Sequence, residues 1–63
     1  MNINLAINEG SKILKDKSIP NPLLDAEIIM AKIINKDRNY ILLNSKDFIN
    51  KNDLNNFYKL IHK

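Results

Sequence analysis

The residues that break helices and make tight turns are nearly missing from this chain. Its 63 residues include one glycine, Gly10, and two prolines, Pro20 and Pro22, both inside the pentapeptide SIPNP. Glycine supplies the positive φ of tight hairpins and the close backbone approach of phosphate loops. One glycine therefore excludes a glycine-rich phosphate or dinucleotide loop. No segment alternates apolar and polar residues for long enough to make a strand, and nothing repeats. The chain reads as helix almost throughout, with its main break at residues 18–22.

Periodicity and capping residues set the expected elements. Ile3, Ile7, Gly10 and Leu14 fall on one helical face, widened by Ala6 and Ile13, which predicts a helix over 3–16. Gly10 costs about 1 kcal/mol against Ala in mid-helix, and close approach by a neighbouring helix is its expected benefit. Asn21 can cap a second helix with Pro22 at its first position, running over 22–34 to a left-handed stop at Asn35. That helix is apolar around most of its circumference, as a central helix would be. Asp37 caps a short third helix, 38–43, and NSKDF is a turn with room for one helical turn of its own. Asn50 opens a last helix, 51–62, with Asp53 as the far half of a capping box and Ile49 and Leu54 as its hydrophobic staple. Leu54, Phe57, Tyr58 and Ile61 make its apolar stripe. The expected fold is all-α: a small orthogonal or irregular bundle of four to five helices in one domain, residues 1–63. The last helix is still periodic at Lys63, which suggests a piece of something longer.

A chain this small buries only about 60% of the surface that its unfolded form exposes. It has no cysteine, so neither a disulfide nor a thiolate-held metal can staple it. Stability must come from helix packing or from a partner. No apolar run is long enough for a membrane span, and the N-terminus lacks the pattern of a signal peptide. The expected location is the cytoplasm, with no membrane partner. Formal net charge is +3, and nine of the ten cations are lysines. Asn, Ile and Lys make up about half of the chain, a bias that a skewed genome also produces. The lysines are scattered rather than gathered on one face, which argues against nucleic acid as a partner.

The stretch NPLLDAEIIMAKIIN holds two acids, Asp25 and Glu27, among aliphatic residues. On one straight helix, residues two apart point about 160° away from each other, so the two cannot converge on a substrate as a catalytic pair must. Asp25 falls beside Lys32 on a narrow polar edge, near the helix N-terminus where a negative charge is favourable. Glu27 interrupts an apolar face and needs the rim or a partner. Arg38, the only arginine, lies just past the helix end. The expectation is a two-pronged Glu27–Arg38 salt bridge pinning the third helix to the second. A structural role for Glu27 is weighed against direct partner contact.

His62 stands alone, without a second His or Cys to complete a metal site. Ser11, Ser18 and Ser45 lack a nucleophile-elbow context. Tyr40, Phe48, Phe57 and Tyr58 could stack on bases, but Phe57 and Tyr58 share the core stripe of the last helix. The sequence thus offers no catalytic, cofactor-binding or metal-ligating residue, and the chain alone is not expected to be an enzyme.

The stretch SIPNPLLDAEIIMAKIINKDRNYIL resembles the N-terminal domain of the release-factor glutamine methyltransferases, the HemK/PrmC family. The shared pattern is a first helix, a proline-containing turn, Leu24-Asp25-Ala26-Glu27 with a run of aliphatics, and a stop at Asn35. Asp37-Arg38 and the aromatic-aliphatic Tyr40-Ile41-Leu42 follow. The last helix, KNDLNNFYKLIHK, also suits the family, where it leads towards the catalytic domain. The resemblance spans essentially the whole chain. Asn35 departs from the family, in which Gly is commoner at that stop, and a basic stretch that usually follows the last helix is not present.

The resemblance implies a substrate-recognition or docking module. Family enzymes transfer a methyl group from S-adenosylmethionine to the glutamine of the Gly-Gly-Gln motif in peptide chain release factors. Their cofactor site and Asn-Pro-Pro-Tyr motif belong to a C-terminal Rossmann-like domain. Pro20-Asn21-Pro22 shares residue types with that motif in the wrong order, so no catalytic residue carries over. The implied partners are a release factor and the catalytic domain itself. Lys32, Lys36 and Lys46, charged and outward-facing, are the candidate partner-binding residues. The alternative is a free-standing helical module that binds protein or nucleic acid.

Overall fold

The computed structural model describes residues 1–62. Four α-helices follow one another: α1 Ile3–Asp16, α2 Pro22–Ile34, α3 Arg38–Leu43 and α4 Lys51–Ile61. The fold is all-α. Among the described residues the sole β-type pairing is an isolated antiparallel bridge between Asn2 and Phe48. No helix is long and apolar enough to cross a membrane among these residues.

Each boundary has a local chemical cause. Asn2 starts α1, its side chain accepting the Leu5 N–H at 2.8 Å. Asp37 does the same for α3 through the Tyr40 N–H at 2.8 Å, and Asn50 for α4 through the Asp53 N–H at 2.7 Å. The Asp53 carboxylate answers by accepting from the Asn50 side-chain amide at 3.1 Å. The shorter Asp thus makes its return bond to the cap's side chain, a variation on the capping box. Asn21 is different. It precedes α2 with φ −126° and ψ 71°, and its side chain makes no capping bond. Pro22 at the next position already removes one free N–H and restricts the residue before it.

Two helices end in left-handed residues that are not glycine: Ser18 with φ 64° and Asn35 with φ 58°. After α1 the Ile19 N–H donates to Leu14 O and the Ser18 N–H to Lys15 O. After α2 the Lys36 N–H donates to Ala31 O and the Asn35 N–H to Lys32 O. Both are Schellman motifs, closing the last carbonyls of a helix through one left-handed residue. The expected stop at Asn35 is therefore in place. The expected last helix ends one residue earlier, with His62 as its C-cap, and NSKDF forms turns without a helix of its own.

The core comes from all four helices and the segment before α4. Ile3, Ala6, Ile7, Leu14, Ala26, Met30, Ala31, Ile41, Ile49, Phe57 and Ile61 are buried. Gly10 permits its tightest contact. A Cβ added there would sit 2.6 Å from Phe57 Cζ and 3.2 Å from Ile61 Cδ1, so bare backbone lets α4 lie against α1. The helix α2 packs against α1, α3 and α4, but it is not enclosed as its apolar circumference suggested. Leu23, Leu24 and Ile28 remain exposed. Three neighbours cannot surround a helix, and in so small a chain the rest meets solvent.

One contact joins distant parts of the sequence. The Ile3 N–H donates to Asp47 O at 2.9 Å and the Asn4 N–H to Ser45 O at 2.8 Å, while the Ile49 N–H donates to Met1 O at 3.1 Å. With Asn2 on Leu5, the first free N–H groups of α1 are all satisfied. The segment between α3 and α4 therefore acts as a cap for α1. At the opposite end of α1, Lys17 Nζ donates to Ile61 O at 3.1 Å, a cation on the last carbonyls of α4.

Candidate functional site

Glu27 lies on the middle of α2, where Ala26, Met30 and Ala31 enter the core. Its side chain is 13% exposed, against 51% for Arg38 at the start of α3. Arg38 Nη2 donates to Glu27 Oε1 at 2.9 Å. The carboxylate thus has a charged partner at the rim of an apolar face, which avoids the cost of burying it alone. The contact is one hydrogen bond rather than the two-pronged bridge expected from the sequence. Arg38 is held at the first position of α3 by the Asp37 cap, and its half-exposed side chain reaches Glu27 on α2. The pair borders an open cleft of about 360 Å³ that also takes in Pro20, Pro22, Leu23 and Leu24. Asp25 is half-buried on a different side of α2.

The three lysines named from the sequence sit on separate segments. Lys32 is exposed near the end of α2, Lys36 follows the Asn35 stop, and Lys46 lies in the turn before α4. Lys36 is engaged within the fold, with Nζ 5.2 Å from the centre of the Tyr40 ring, a cation–π contact. It borders a small cleft of about 180 Å³ beside Tyr40 and the exposed Phe48. Lys32 and Lys46 form no salt bridge among the described residues.

No polar or charged residue is buried among those described, and no buried side-chain N or O atom lacks a partner. No group of three or more His, Cys, Asp or Glu side chains is placed to hold a metal ion among these residues. His62 caps the end of α4 and is exposed. Tyr58 is half-buried and tilted against Phe57 at 5.8 Å between ring centres. Burial, and then the charge of Glu9, push its hydroxyl above the ordinary value of 10.0.

The sequence did not point to the outer surface of α4. Asn52, Asn55, Asn56, Tyr58, Lys59 and His62 line an open depression of about 750 Å³ there. The signal was present as asparagines three and four residues apart, but asparagine is so abundant in this chain that the spacing did not stand out.

No curated protein and no solved structure matches the chain. A protein-family model described as the PrmC N-terminal domain matches residues 6–63. That match takes in α1 from its second turn, both Schellman stops, the Glu27–Arg38 pair and all of α4. Joined to the all-helical fold, it places this chain in the PrmC N-terminal domain family.

Proposed function

We propose that this chain is the substrate-recognition domain of an S-adenosylmethionine-dependent methyltransferase that modifies the Gly-Gly-Gln glutamine of peptide chain release factors in the cytoplasm. The observation that carries the reading is the family match over residues 6–63. It is supported by the fold, whose charged pair and capping residues hold the helices together and leave the outer surfaces to meet another protein. Lys32 and Lys46, exposed and outside any salt bridge described, are the cations we assign to that partner.

The residues present do not fit S-adenosylmethionine. The single glycine lies under Phe57 and Ile61, so it cannot open a cofactor loop. The cofactor and the transfer step belong to a separate catalytic domain, and the chain is inactive alone. Calorimetry tests this directly. The 63-residue chain should bind a peptide chain release factor and give no heat with S-adenosylmethionine. Absence of binding to the release factor, or saturable binding of S-adenosylmethionine, would sink the proposal.

A further inference from the structure

The outer face of α4 carries Asn52, Asn55, Asn56, Lys59 and His62, all exposed. None of the three asparagine side chains makes a hydrogen bond within the described residues, although Asn50 on the same helix start does. Each carboxamide offers both a donor and an acceptor, as a peptide unit does. Asn52 and Asn56 are four residues apart, as are Asn55 and Lys59. Four residues rise about 6 Å along a helix. Two residues of an extended chain advance about 6.6 Å. An extended segment laid along α4 would therefore present every second peptide group to this face in near register.

A second feature adjoins the first. Ile33 of α2 and Leu60 of α4 line a hollow of about 350 Å³, and Asn56 and Lys59 border both it and the asparagine-lined depression. Leu60 is 40% exposed. Alternate side chains of an extended ligand point the same way, so one that meets the carboxamides can also place an apolar side chain in this hollow. Charge selects the rest of the ligand. Among the described residues Lys59 and His62 line the depression and no acid does. Asp53 is turned to Asn50, and Glu9 on α1 acts on Tyr58 without lining the depression.

We infer that the outer face of α4 is a docking site for an extended peptide segment of a partner protein, one that alternates apolar and acidic side chains. This rests on the reading of the domain as a protein-recognition module and names the surface and the ligand chemistry. The test is a two-dimensional NMR titration of the 63-residue chain with a blocked hexapeptide alternating Leu and Asp. Shifts should centre on the side-chain amides of Asn52, Asn55 and Asn56 and on the methyl groups of Ile33 and Leu60.

The variant Asn52→Ala/Asn56→Ala should keep its helical circular dichroism, since alanine is the better helix former, and should bind about tenfold more weakly or worse. No shifts on this face, equal shifts with a Leu-Lys hexapeptide, or stronger shifts with an oligouridylate would overturn the inference. If the chain binds a release factor but the Leu-Asp peptide leaves this face unmoved, the inference fails and the proposed function stands. If the peptide docks here and no release factor binds, the inference holds and the proposed function fails.

Discussion

Ser18 holds a left-handed backbone, φ 64°, with a side chain that gains little there. Non-glycine residues other than Asn and Asp pay a steric penalty in that region. Ser18→Gly should therefore raise stability by about 0.5–1 kcal/mol, and Asn35→Gly by less, because asparagine tolerates the conformation. Urea midpoints at constant slope would show it. Glu27 has a charged partner and little exposure, whereas no salt bridge holds Asp25 among the described residues. Glu27→Ala should cost about 1 kcal/mol, within the range of partly exposed pairs, and Asp25→Ala distinctly less. Equal losses in parallel melts would remove the structural role given to Glu27. The helix caps were open to inspection in the sequence because their partners lie within a few positions. Asp37, Asn50 and Asn35 act on atoms no more than five residues away. Asn21 shows the opposite case. It is a capping residue by type, but its ψ of 71° before Pro22 leaves its side chain without a cap bond, and residue type does not reveal ψ.

At the scale of elements, the pairing of α1 with α4 depends on Gly10. Adding a methyl group gains about 1 kcal/mol of helix propensity and meets the Phe57 ring at 2.6 Å. The ring is fully buried and cannot swing into solvent. Overpacking of this kind costs about 1–3 kcal/mol, so Gly10→Ala should be destabilising overall. In a Phe57→Leu background the same change should become neutral or favourable, which a double-mutant cycle would measure. The three helices before α4 were readable to the residue, since prolines and Asn or Asp caps mark their ends. The exposure of α2 was not. Its apolar circumference says nothing about how many neighbours a short chain can supply, and Leu23, Leu24 and Ile28 are left at the surface. Nor was the α4 docking face readable, because only its neighbour Ile33, on another helix, turns a polar strip into a bordered hollow.

Taken as one molecule, the described residues put eleven buried hydrophobic residues into one core, in which Phe57, Met30 and Ile61 are the largest fully buried side chains. A domain of this size rarely holds more than about 3–5 kcal/mol in reserve, and Phe→Ala in a core costs about the same. Phe57→Ala should therefore unfold the chain at room temperature, seen as loss of helical circular dichroism. Stability should also fall in alkali. The Tyr58 hydroxyl is raised above 10.0 in the folded chain by burial and by Glu9. Below that pH both states keep the proton and nothing is lost. Above it the unfolded chain ionises first, so stability drops as pH rises through the folded value. Tyr58→Phe should flatten that part of the melting curve. The N-terminal frame, in which Ser45, Asp47 and Ile49 hold Met1, Ile3 and Asn4, sets an order of events in the cell. A ribosome makes the first turn of α1 long before it makes the segment that completes it. Until residue 49 has emerged, the nascent chain can form helices but cannot close, and the opening turn waits, its outer amides in water, for a segment made more than forty residues later.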